Sequence, residues 1–215
     1  MTVARDAILA RVRHALRDVP GSEQVGDVPV ERAYRRGADG PATDRLKRFA
    51  ARVRDYGAEV ETVDPESVGE AVTAACERLG LRRVVVPTGL PSGWRPRAGE
   101  VIEDAGLSTA ELDAVDAALT GCAVAIAETG TIALDGQGAS GRRAITLVPD
   151  HHICVITSDQ VVALVPEAIA ALSGPVRRDR APVTLISGPS ASSDIELSRV
   201  EGVHGPRNLV VLLAG

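Results

Sequence analysis

Residues 122–157 read CAVAIAETGTIALDGQGASGRRAITLVPDHHICVIT, and the fold class follows from how this stretch divides into elements. Apolar runs at 122–128 and 131–135 flank Thr129-Gly130, and runs at 144–148 and 152–157 flank Pro149. Short runs of Val, Ile, Ala and Leu closed by Gly, Pro or Asp read as buried strands. Their near-adjacency adds antiparallel pieces to the sheet.

Working outward, residues 159–172 carry helical spacing, and PVTLIS (182–187) and NLVVLLA (208–214) read as further strands. Upstream, RRVVVP (82–87) is a strand closed by proline, and 100–103 is another. Ser108 opens a helix to about Leu119, with Glu111 completing a capping box. Residues 42–56 and 65–79 read as helices around a strand at 58–63, with Pro65 near one start and Gly80 as a stop. Strands alternating with helices predict an α/β fold, a mostly parallel sheet with helices on both faces. Residues 3–17 have amphipathic helical spacing, and Asp18–Pro41 carry Gly, Pro and charge without period. The expected organisation is an N-terminal helix and linker arm, 1–41, followed by an α/β domain, 42–215.

Composition excludes several classes. The 215 residues are enough for one sizeable core without staples. Aromatics are 2%, too few for the stacking platforms that bind single-stranded nucleic acid. A net charge of −5 argues against a general nucleic-acid or membrane-surface binder. Arg outnumbers Lys 23 to 1, so any bound anion is expected to meet guanidinium. Cys76, Cys122 and Cys154 are scattered, odd in number and without a CxxC pair. They form neither a disulfide framework nor a full ligand set for an iron–sulfur cluster. The opening MTVARDAILARVRHAL lacks the apolar stretch of a signal peptide or membrane span, so a cytoplasmic protein is expected.

Gly136-Gln137-Gly138-Ala139-Ser140-Gly141 matches GxGxxG. That motif needs a helix directly after it, and the run from Ala144 reads as a strand, so a connecting loop is expected rather than a dinucleotide site. Glu128 ends an apolar run ahead of Thr129-Gly130, where the glycine would admit a substrate to the backbone. It is either a functional carboxylate or a turn acid satisfied by amides. His151 and His152 alternate sides in an extended segment, which disfavours a shared metal and leaves His152 for proton transfer or ligand hydrogen bonding. Gly188-Pro189-Ser190-Ala191-Ser192-Ser193 follows a strand, with a short helix expected from Ser193. Such a loop offers an anion site at Gly188, Ser190, Ser192 and Ser193, or is simply a well-capped connection. His204, bracketed by Gly202 and Gly205, is an exposed ring or a turn residue. Arg142, Arg143, Arg199 and Arg207 read as solvated, though each could clamp a carboxylate. Glu128, Ser190 and His204 are expected to share one pocket at the carboxyl edge of the sheet.

The segments AETGTIALDG (127–136), GRRAITLVPDHHICVI (141–156), DQVVALVPEAI (159–169) and GPSASSDIELSRVEGVHGP (188–206) together resemble the LUD-domain family. The resemblance is strongest to its lactate utilisation protein C branch, also known as LutC or YkgG. It implies a three-layer α/β/α, Rossmann-like fold similar to the NagB/RpiA/CoA-transferase-like superfamily of sugar-phosphate isomerases and CoA-transferases. It further implies a role in oxidising L-lactate to pyruvate beside A- and B-type iron–sulfur proteins, with no cofactor in this chain and a small carboxylate as ligand. By similarity to CoA-transferases, whose catalytic glutamate precedes Asn-Gly, Glu128 before Thr129-Gly130 is the matching carboxylate, with Thr in place of Asn. The alternatives are a stand-alone enzyme using Glu128 on a CoA thioester or small acid, and a carboxylate-binding regulatory module.

Overall fold

The computed structural model describes residues 2–27, 29–38, 40–192, 200–202 and 204–215. Two compact units are present, Met1–Arg35 and Arg36–Gly215. The first holds helix α1 (Thr2–Ala15), where the sequence predicts a helix.

The second unit begins with α2 (Ala42–Asp55), β1 (Glu59–Val63), α3 (Val68–Leu79) and β2 (Arg83–Pro87). There follow β3 (Glu100–Asp104), α4 (Thr109–Asp113), β4 (Ala117–Thr120), β5 (Val124–Ile126) and β6 (Thr131–Leu134). The chain continues through β7 (His151–Thr157), β8 (Val161–Val162), α5 (Val165–Asp179) and β9 (Thr184–Ile186). It closes with β10 (Ala191–Ser192), β11 (Val200–Glu201) and β12 (Asn208–Ala214).

Six strands form a parallel sheet in the order β1-β12-β7-β4-β2-β3. Strands alternate side chains between faces, so each strand here feeds two cores. On one face Val84, Val86, Leu119, Ile153, Val155 and Leu212 pack with Val68, Val72 and Cys76 of α3. On the other, Cys154, Ile156, Val211 and Leu213 pack with Phe49 and Val53 of α2 and with Ala125 and Ile132 of a second sheet. That second sheet runs β8-β5-β6-β9, with β6 antiparallel to both β5 and β9. Its outer residues Val124, Ile126 and Ala133 are covered by Ala168 and Leu172 of α5. The result is an α/β fold, a parallel sheet flanked by helices, with a small mixed sheet inserted on one side.

Several expected elements are revised. The strand expected at 144–148 is a 3-10 turn at Arg143–Thr146, whose Ile145 packs with Val85, Leu112, Val115 and Ala118. A five-residue apolar run satisfies either structure, and here its apolar side chain caps a core instead of extending a sheet. The helix expected to reach Leu119 stops at Asp113, and Ala117–Thr120 becomes a central strand. The reason lies elsewhere in the chain: Asp116 Oδ2 accepts from the amides of Arg82 and Arg83 at 2.7 and 2.8 Å, which turns the backbone into the sheet. The expected helix at 159–172 lies further on, at Val165–Asp179, opening on Pro166. The helix expected from Ser193 lies outside the described residues.

Candidate functional site

A cavity of about 340 Å³ lies against the face of the parallel sheet that carries the second sheet. Its floor includes His152 and Leu209, the second residues of β7 and β12, so it opens at the amino ends of those strands. Arg143 and Thr146 of the 3-10 turn, residues Thr184–Ser190, and His204–Pro206 build its walls, with Tyr56 at the rim.

Hydrogen bonds knit the wall together. Arg143 Nη1 donates to the Thr146 carbonyl at 2.7 Å and to Thr146 Oγ1 at 3.1 Å, and Nη2 donates to the His204 carbonyl at 2.9 Å. The His204 amide donates to Ser190 Oγ at 2.9 Å, and the Ser190 amide to the Pro206 carbonyl at 2.7 Å. His152 is buried, and its Nε2 lies 2.8 Å from Thr120 Oγ1. Burial, with the Arg143 charge second, pushes its imidazole down to about 4, so the ring is neutral at physiological pH. Burial also lowers the Arg143 guanidinium from its ordinary value, yet it stays charged. The cavity thus offers one fixed positive charge among hydroxyls and a neutral imidazole, a setting for a small anion.

Of the residues singled out from sequence, His152, Gly188, Ser190 and His204 line this cavity. Glu128 does not line it. Glu128 is exposed on the turn between β5 and β6, and its amide donates to the Ala163 carbonyl at 3.1 Å. The expectation of a shared carboxyl edge fails in its premise: Glu128 follows a strand of the second sheet, and the cavity sits at amino ends of the first. Thr129 reaches the cavity indirectly, through Thr131 Oγ1 at 2.7 Å and from there to Ser187 Oγ at 2.9 Å. Gly130, at φ +64, faces α2, where an added Cβ would stand 2.7 Å from Arg52 Cβ. Helix packing, rather than substrate approach, explains that glycine. Gly188 is likewise pressed against Tyr56, 2.7 Å from its Cβ to a built methyl position. The side chain of Ser192 and all of Ser193 lie outside the described residues.

From sequence Arg143 is a solvated residue or a carboxylate clamp, one of four such arginines, and Thr120, Thr146 and Ser187 are not singled out. Arg143 and Thr146 reach the cavity only because 143–146 is a turn. Its neighbour Arg142 grips Asp104 through Nε at 2.6 Å and Nη2 at 2.8 Å, holding that carboxyl below its usual range. Arg207 pairs with Asp150. His151 turns to the opposite side, beside Asp113, Asp116 and Asp150. Among the described residues, no group of three His, Cys, Asp or Glu side chains is placed to hold a metal ion. No helix among them is long and apolar enough to cross a membrane.

Comparison with known proteins gives a consistent result. Residues 103–214 match the family model described as the LUD domain. Lactate utilization protein C of Deinococcus radiodurans is 52% identical over 172 residues, covering 79% of each chain. The uncharacterized protein YkgG of Escherichia coli is 25% identical over 166 residues, 71% of each chain. The crystal structure of a DUF162 family protein from Deinococcus radiodurans superposes with a TM-score of 0.72 at 41% identity, covering 82% of this chain and 100% of that one. Fold, family model and relatives agree: this chain belongs to the LUD domain family.

Proposed function

We propose that this chain is the cluster-free component of a cytoplasmic system that oxidises L-lactate to pyruvate. The 52% identity to a Lactate utilization protein C across 79% of both chains carries the reading. Lactate utilization protein C of Shouchella clausii and Lactate utilization protein C 1 of Bacillus mycoides, 34% and 33% identical over shorter stretches, support it. In this reading A- and B-type iron–sulfur proteins hold the clusters and carry the electrons, and this chain contributes a pocket for a small carboxylate.

The cysteine chemistry supports that division of labour. Cys76 lies in one core, and Cys122 and Cys154 in another. Burial pushes the Cys76 thiol up to about 11 and the Cys154 thiol up to about 12, and raises Cys122 as well. Cluster ligation needs about four converging thiolates, and here only Cys122 and Cys154 share a core.

Deleting the gene tests the system-level role. Growth on L-lactate is expected to fail while growth on pyruvate continues, in a strain with no other lactate dehydrogenase. Undiminished growth on L-lactate overturns the reading.

A further inference from the structure

We infer that the cavity at the amino ends of β7 and β12 is a monocarboxylate site in which Arg143 holds the carboxylate and His152 meets a second oxygen of the ligand. This deepens the lactate-utilisation reading and rests on it for the choice of probe.

The argument starts from the guanidinium. Five N–H bonds are available on Arg143. Nη1 spends both of its hydrogens on Thr146, and Nη2 spends one on the His204 carbonyl. Nε and the second hydrogen of Nη2 are left, and these are the two atoms with which the adjacent Arg142 grips Asp104. The same side-on fork on Arg143 borders a cavity, where a ligand carboxylate can take the place that Asp104 takes for Arg142. Three bonds to the protein hold the fork rigid, so little side-chain freedom is lost when an anion arrives.

The second contact comes from His152. Its Nε2 is committed to Thr120 Oγ1 at 2.8 Å, which leaves Nδ1 for a ligand. In the tautomer where the threonine hydroxyl donates to Nε2, Nδ1 offers its proton to a ligand oxygen; in the other, Nδ1 accepts from a ligand hydroxyl. Ser187 and Ser190 line the same space. Gly205, at φ +154, lies in the same wall: a Cβ built on it would touch the Thr146 carbonyl at 3.6 Å, Ser190 Cβ at 3.8 Å and Arg143 Nη2 at 4.0 Å. One formal positive charge selects a monoanion over inorganic phosphate, whose second charge the wall does not match.

The test is titration of the full chain with sodium L-lactate, sodium pyruvate and inorganic phosphate, by calorimetry and by backbone amide NMR. Saturable binding of L-lactate or pyruvate is expected, with shifts at His152, Ser187–Ser190 and His204, and binding of phosphate at least about tenfold weaker. Arg143→Lys keeps the charge but loses the planar fork, and should weaken the monocarboxylate at least about tenfold. Should that variant fail to fold, the wild-type shift map still decides. No saturable binding, shifts confined to another surface, equal affinity in folded Arg143→Lys, or phosphate binding as tight as L-lactate overturns the site. A lactate growth defect on deletion, with no carboxylate binding by the chain, overturns this site while leaving the system-level role standing.

Discussion

Thr120 Oγ1 and His152 Nε2 stand 2.8 Å apart on adjacent strands, both residues buried, with His152 at the floor of the cavity that Arg143 also lines. The pair ties the core of the parallel sheet to the candidate site. A neutral imidazole is stable there because its one committed nitrogen has a partner and the neighbouring charge is positive.

Stability should therefore depend on pH through His152. The unfolded chain protonates this ring near its ordinary value of 6.5, whereas the folded chain holds it to about 4. Between those values the unfolded state binds the extra proton, so stability is full above pH 6.5 and falls as pH drops toward 4. The loss is on the order of 3 kcal/mol. Urea unfolding of the wild type and of His152→Gln across that window checks it. The variant should lose most of the slope, and an identical slope contradicts the assignment.

Gly130 and Gly138 should differ sharply in tolerance. At Gly130 a methyl would meet Arg52 Cβ at 2.7 Å, the Arg52 carbonyl carbon at 2.9 Å and the Val53 nitrogen at 3.0 Å, at φ +64. Gly138 has φ +48 with nothing within 4 Å. Gly130→Ala should cost roughly 2–4 kcal/mol, the left-handed backbone plus overpacking against α2. Gly138→Ala should cost only the backbone part, about 1–2 kcal/mol. Thermal unfolding of both variants measures the difference, and equal losses would mean that α2 does not press on the turn.

What could be read from the sequence divides along a physical line. Elements set by local chemistry are present where expected: β12 spans Asn208–Ala214, and the Ser108–Glu111 capping box forms, with Glu111 accepting from the Ser108 amide at 2.7 Å. Elements set by distant partners were not legible. Asp116 ends α4 by capping amides 33 and 34 residues away, and Ala144–Thr146 forms a turn because Ile145 fills a gap beside Leu112 and Val85. The site suffered most from this, since its walls come from the 143–146 turn, β7, β9 with its loop, and the segment before β12. His152, Gly188, Ser190 and His204 were visible as unusual residues at element ends. Arg143 is one of four arginines that the sequence offers as carboxylate clamps, and only the turn that carries it sets it apart from the other three.

Reconstitution is the most direct test of the central claim, that this chain is a necessary, cluster-free part of lactate oxidation. The purified A- and B-type iron–sulfur proteins are combined with L-lactate and an artificial electron acceptor, with and without this chain. The account predicts that acceptor reduction and pyruvate formation require the chain, and that the chain itself brings no iron. Full activity in its absence would contradict it.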